Sequence, residues 1–239
     1  MSVILGINAF HGDASAALIK DGKLITAVEE ERFTRIKHTA GFPYSAINYC
    51  LTNNGISISD IEHIAINGNQ SSNLKKKIIY SFSRRPNPKF LINKLTTKRK
   101  RSSLKKIFKE TYPNKKIKAI FHFLDHHLCH LASAYFCSKF SSAALISIDG
   151  FGDFASTAWG FGINNTLKIQ DRILFPHSMG IFYTAITQYL GFFNYGDEYK
   201  VMGLAPYGDP IYTNLIKKEL IDIKDDGSFR LNQNYFEYA

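Results

Sequence analysis

Two stretches of this chain run to the same plan, and that repetition limits the folds open to it more than any other feature. Residues 3–9, 14–20 and 24–30 are short apolar-rich runs parted by His11-Gly12-Asp13 and Asp21-Gly22. The second break predicts a hairpin, because Asp-Gly suits its positive-φ turn. Residues 143–149, 155–161 and 166–173 repeat the layout, and each set of runs is followed by a helical pattern, over 43–53 and 178–190. Gly12-Asp13-Ala14-Ser15 in the first set is echoed by Gly152-Asp153-Phe154-Ala155-Ser156 in the second, so duplication is the economical account. Residues 61–66 and 117–124 return as strands after the first set. No further strand, helix, strand series is expected after the second, which leaves that copy incomplete.

The fold class expected is therefore α/β, with two β-β-β-α units, the second truncated. Residues 1–140 form the first subdomain, with an insert at about 71–116, and residues 141–239 begin the second. Paired units of this kind resemble the actin, sugar kinase and Hsp70-like superfamily, whose halves are ribonuclease H-like. In such a pair the first turn of each half points into a shared cleft, which would bring His11-Gly12-Asp13 and Asp149-Gly150-Phe151-Gly152 to one ligand.

Between the two sets lies DHHLCHLASAYFCSKFSSAALISIDG, residues 125–150. His126 and His130 are four apart in a helical pattern, so their imidazoles stack on one face, a spacing suited to two metal ligands. Asp149 closes an apolar run that reads as a buried strand. Two histidines and a hard carboxylate can share one borderline or hard divalent ion. His127 cannot face the same way as His126 and is expected to orient a ligand or touch substrate. Cys129 lies off that face and reads as a small buried hydrophobe. Gly150 and Gly152 leave backbone room for a ligand. Tyr183 and Tyr189, on the helix that follows, read as packing residues.

Charge is concentrated. The net charge is +10, yet residues 71–118 hold seventeen Lys or Arg against one acid, Glu110, so that window carries +16 and the remainder −6. It is expected to be a helical or partly disordered insert outside the core. Its aromatics show no repeated stacking pattern, so a solvated insertion or partner surface is expected in preference to a nucleic-acid site. Three cysteines, Cys50, Cys129 and Cys137, make no paired framework and fit a reducing, cytoplasmic setting. The opening MSVILGINAFHGD lacks a basic region before its short apolar run and reads as a strand, and no stretch is apolar enough to cross a membrane.

The segments HHLCHLASAYF, ISIDGFGD, PHSMGIFYTAITQYLGF and GDEYKVMGLAPYG closely resemble the carbamoyltransferase family that includes nodulation and antibiotic O-carbamoyltransferases. INAFHGDASAALI and EEERFTRIKHTAGFP resemble its N-terminal part, which is similar to the tRNA threonylcarbamoyl-transfer protein domain. The resemblance implies a divalent metal, iron first among candidates, and transfer of a carbamoyl group from carbamoyl-adenylate to a hydroxyl acceptor. A further C-terminal domain of the family makes that adenylate from ATP and carbamoyl phosphate. It also implies a fourth metal ligand, an aspartate later in a completed second subdomain, beyond residue 239.

His11 sits in a turn beside Asp13, whose carboxylate can orient a neutral imidazole that takes a hydroxyl's proton; local sequence alone favours a plain turn histidine, and it is the resemblance that raises the catalytic role. Lys37 is preferred over Arg35 as a phosphoryl contact, again by resemblance. Glu198 and Lys200, next to Asp197 and the glycines of MGLAPYG, could hold ribose or phosphate, or form a salt-bridged loop. The enzyme reading expects either the missing C-terminal segment or a homo-oligomer to complete the cleft. The alternatives are carbamoyl transfer to tRNA, or a silent domain that binds a partner through its open sheet edge.

Overall fold

The computed structural model describes residues 2–69, 71–84 and 104–236. Expectations for residues 85–103 lie outside the described residues. The chain divides into two compact units, Met1–Gln70 with Ser83–Asp125, and Ser71–Phe82 with His126–Ala239.

The first unit opens with β1 (Val3–Asn8), β2 (Ser15–Lys20) and β3 (Lys23–Glu29), then the single turn α1 (Glu31–Thr34), α2 (Tyr44–Thr52) and β4 (His63–Asn67). Most of α3 (Leu74–Arg84) belongs to the second unit, and the chain returns to the first with α4 (Leu104–Thr111) and β5 (Ile120–Leu124). The sheet runs β3-β2-β1-β4-β5; its first two pairings are antiparallel and its last two parallel. Period-two alternation buries Val3, Leu5 and Ile7 of β1, Ala16 and Leu18 of β2, and Ile64 and Ile66 of β4. Ala46, Ile47, Cys50 and Leu51 of α2 join the same core. The buried carboxylate of Glu30 accepts hydrogen bonds from Ser45 N and Ala46 N at 3.1 and 2.8 Å, which satisfies donors that the start of α2 leaves open.

The expectation that residues 71–118 lie outside the core is corrected at their far end. Both described parts are helical, but Leu104 and Phe108 of α4 are fully buried in the first unit's core. These two residues are four apart and share a face, while Lys105, Lys106 and Lys109 take the other side. The dense lysines hid an ordinary amphipathic helix.

Tyr112, just after α4, donates its hydroxyl to Asn48 Oδ1 at 2.7 Å. Burial pushes this phenol up from 10.0 to about 12. Between those values the unfolded chain releases the proton while the folded chain keeps it, so the stability is complete below pH 10 and falls through the window. Tyr112→Phe should remove that part of the alkaline loss. Denaturation midpoints that fall equally in both proteins up to about pH 12 would contradict the assignment.

The second unit contains α5 (His126–Phe136) and the antiparallel meander β6 (Ser142–Gly152), β7 (Ala155–Ile163) and β8 (Thr166–Leu174). After it come α6 (Met179–Tyr189), α7 (Glu198–Leu204), α8 (Thr213–Glu219) and a hairpin of β9 (Ile221–Ile223) with β10 (Phe229–Leu231). The strands of that hairpin are too short to announce themselves by alternation. An apolar cavity of about 670 Å³ is lined by Ile146, Ile148, Trp159 and Phe161 of the meander and by Ile223 and Phe229 of the hairpin.

The two compact units part between Asp125 and His126. The cause is the packing of α5 on the meander. Tyr135 donates its hydroxyl to Ser141 O at 2.9 Å, and its ring lies so near Gly162 that a Cβ there would come within 2.6 Å. Tyr189 corrects another expectation: it is 86% exposed, and Tyr183 is exposed as well, so neither is a core packing residue. Among the described residues no helix is long and apolar enough to cross a membrane.

Candidate metal centre

At the start of the histidine helix α5, the Asp153 carboxylate, from the turn between β6 and β7, accepts from His126 N at 2.9 Å. One turn on, His130 meets His126 edge-on, with ring centroids 4.6 Å apart. Asp149 arrives from β6, and its Oδ1 accepts from Gly150 N at 2.6 Å. The hydroxyl of Ser178 lies 2.9 and 2.8 Å from the main-chain oxygens of Asp149 and Gly150, and it accepts from Ile181 N at 3.0 Å as the N-cap of α6. Gly180 lets α6 approach this closely, since a Cβ there would sit 2.6 Å from the Asp149 carbonyl.

Three donor atoms converge. His126 Nε2 is 2.8 Å from Asp149 Oδ2 and 3.0 Å from His130 Nε2, and His130 Nε2 is 3.4 Å from the same carboxylate oxygen. These separations fit a circle of radius about 1.8 Å, inside the ~2.0–2.2 Å reach of imidazole and carboxylate ligands, so one ion can touch all three atoms. A single N–H on His126 Nε2 cannot serve both neighbours well, whereas an ion shared by the three lone pairs satisfies them together. Two imidazoles with one carboxylate form the donor set of non-haem iron sites and also suit other borderline divalent ions. The His126 hydrogen bond, then that of His130, holds the Asp149 carboxyl far below the usual carboxylate range, against the opposing effect of burial. The carboxylate is thus ready as an anionic ligand. His126 is buried while half of the His130 side chain is exposed, which gives the site an open side.

His127 turns away from this face. Its Nδ1 lies 2.9 Å from Ser147 Oγ on β6, and burial pushes the imidazole's pKa down, partly offset by the Ala155 backbone. Cys129 is half-buried, less enclosed than a core hydrophobe. Glu198 accepts from the Thr184 hydroxyl, and Lys200 pairs with Asp197 at 2.7 Å, so these two sit in a local network of α6 and α7.

In the first unit, Asn8 Nδ2 donates to the carbonyls of Gly12 and Asp13, both at 2.8 Å, and pins the turn that carries His11. Asp13 Oδ1 lies 2.8 Å from His38 Nδ1, and Glu31 Oε2 accepts from His38 N at 3.2 Å. The carboxylate expected to orient His11 is therefore engaged with His38, next to Lys37. Sequence reasoning passed over His38, Asp153, Ser178 and Gly180. Only Ser178 carried a legible signal, a serine directly before a helical run.

A family model described as "Carbamoyltransferase N-terminus" matches residues 3–239. An uncharacterized protein of Synechocystis sp. is 41% identical over 247 residues, covering 100% of this chain and 40% of that protein. Nodulation protein NolNO of Sinorhizobium fredii is 34% identical over 226 residues, covering 94% of this chain and 32% of that protein. The chain thus spans less than half the length of these relatives. YeaZ from Pseudomonas aeruginosa aligns with a TM-score of 0.37 and 13% identity over 75% of this chain and 70% of that one, a likeness too loose to argue from.

Proposed function

Because this chain belongs to the carbamoyltransferase N-terminus family, we propose that it is the metal-holding portion of an enzyme that moves a carbamoyl group onto a hydroxyl of a small molecule or sugar. The convergence of His126 Nε2, His130 Nε2 and Asp149 Oδ2 carries this reading. The donor is carbamoyl-adenylate, made from ATP and carbamoyl phosphate by polypeptide beyond the length shared with the relatives. The strand order β3-β2-β1-β4-β5 and the second meander β6-β7-β8 support reading the units as ribonuclease H-like halves of an actin, sugar kinase and Hsp70-like pair.

A divalent ion, when bound, supplies Lewis-acid polarisation of donor oxygens. His126, His130 and Asp149 hold it, and Asp149 alone among them brings a formal charge, so net positive charge is left for an anionic donor. His11 accepts the proton of the acceptor hydroxyl as that oxygen bonds to the carbamoyl carbon; the bond from this carbon to the phosphoryl oxygen breaks, and AMP leaves. Lys37 steadies the phosphoryl oxygens as a point charge. Asp13, Gly150 and Gly152 shape the turns assigned to the donor. Glu198 and Lys200 would hold ribose or phosphate only by exchanging their present partners, Thr184 and Asp197.

The test is carbamate formation on a hydroxyl acceptor, given ATP and carbamoyl phosphate. Three samples are compared: the 239-residue polypeptide alone, the polypeptide joined to the remaining length of its relatives, and the joined form with His130→Ala. Only the second should turn over, because catalysis needs all reacting groups held together. Turnover by the polypeptide alone, or by the joined form without His130, would overturn the reading.

A further inference from the structure

We propose that the turn between β6 and β7 is a mould that sets the His126 imidazole, with Gly152 and Asp153 as positioning residues of the metal centre; the proposal rests on the metal-holding reading above. A Cβ on residue 152 would fall 1.9 Å from His126 Cδ2, 2.1 Å from Cγ and 2.6 Å from Nε2. No real side chain tolerates such distances, so the ring occupies the space that glycine leaves empty. Gly152 has no positive φ, so what it contributes is room and not backbone freedom. An alanine there is compatible with the strand but not with this position of the ring.

The next residue fixes the other end of the histidine. Asp153 Oδ2 accepts from His126 N, so one turn sets both the main chain and the ring of the same ligand. The turn is itself unusual. Asp153 and Phe154 have φ of 52° and 74°, the signs of a type I′ hairpin loop, here built without glycine at either central position. A bulky aromatic residue in that region is strained and persists only when its surroundings over-determine it. Those surroundings are visible: Phe154 packs on Tyr80 and Phe175 at 5.7 and 5.6 Å, and Asn73 Nδ2 donates to Asp153 O at 3.0 Å. Tyr80 and Asn73 come from the start of the basic segment, which gives that part of the chain a role in bracing the site. Gly152 is thereby distinguished from a glycine that only admits a ligand.

Cobalt(II) titration of the purified 239-residue chain, read by its visible d–d absorption, tests the proposal. Gly152→Ala should bind at least about 10-fold more weakly than wild type, the scale typical of residues that orient a ligand, and with an altered spectrum as His126 swings out of the ligand set. Gly203→Ala, where a Cβ would meet nothing within 4 Å, is the control. Asp153→Ala should weaken binding and Asp153→Asn restore it, because an amide oxygen can still cap His126 N. If wild type binds cobalt and Gly152→Ala binds it with unchanged affinity and spectrum, the mould is refuted and the metal-holding reading stands. A wild-type chain that binds no cobalt refutes the metal-holding reading, and the proposal with it. Should Gly152→Ala lose its native circular dichroism, the Asp153 pair decides: equal affinity in its two variants overturns the proposal.

Discussion

Asp149→Asn should cost the site its divalent ion while leaving the fold intact. The substitution keeps the side chain's shape, and an amide can still hydrogen-bond to His126, so β6 and α5 lose little packing. What disappears is the only formal negative charge among the three converging atoms and the ligand that the two imidazoles hold ionised. Neutral amide oxygens are poor ligands for borderline divalent ions, which favour imidazole and carboxylate. Replacing a direct ligand should exceed the ~10–100-fold loss typical of an orienting partner, so affinity should fall by at least about 100-fold. Metal titration with circular dichroism on the same samples reads both halves of this expectation. Unchanged affinity would remove Asp149 from the metal site; lost affinity with lost helicity would make its role structural.

Phe108→Ala should destabilise the first unit by about 3–5 kcal/mol, the cost of deleting a fully buried aromatic ring that its surroundings cannot refill. The ring meets Phe42 and Phe121 edge-on at 5.1 and 5.6 Å and stacks on Tyr112 at 6.4 Å, so the cavity would be walled by side chains already in place. Urea unfolding should show a lower midpoint with a similar slope. Lys106→Ala, on the opposite exposed face of α4, should change stability by less than about 0.5 kcal/mol, as surface substitutions usually do. Equal effects of the two would mean that α4 lies outside the core, as its charge suggests.

The contrast within α4 shows which parts of this molecule are legible in sequence. The two meanders could be read because alternation and Gly-Asp or Asp-Gly punctuation are local signals, and β1, β2, β6 and β7 fall within a few residues of their expected places. Their inner ends are trimmed where Phe10 and Asp13 take positive φ, which ends strand geometry. His126, His130 and Asp149 were legible because a four-residue helical spacing and a polar end to an apolar run need no tertiary knowledge. The cap from Asp153, the space at Gly152 and the Ser178 contact with Asp149 link elements 20 or more residues apart, and no local pattern reports them. Leu104 and Phe108 were hidden differently: lysines dominated the composition of a helix whose two apolar positions alone decided where it packs. The placing of α5 is non-local in the same way, since it follows β5 in the chain but finds its partners on β6 and β7.

All three converging ligands lie within residues 126–149, twenty-four residues of chain. Loop-closure entropy grows only slowly with length and is small for a span this short, so little order elsewhere is needed to bring them together. The candidate metal centre is therefore a low-contact-order feature. It should assemble as soon as α5 docks on the β6–β7 hairpin, before the slower parallel pairing of β1, β4 and β5 is complete. A growing polypeptide would then bring these three side chains together once β7, ending at Ile163, has left the ribosome, and the rest of the chain would fold around a site already formed.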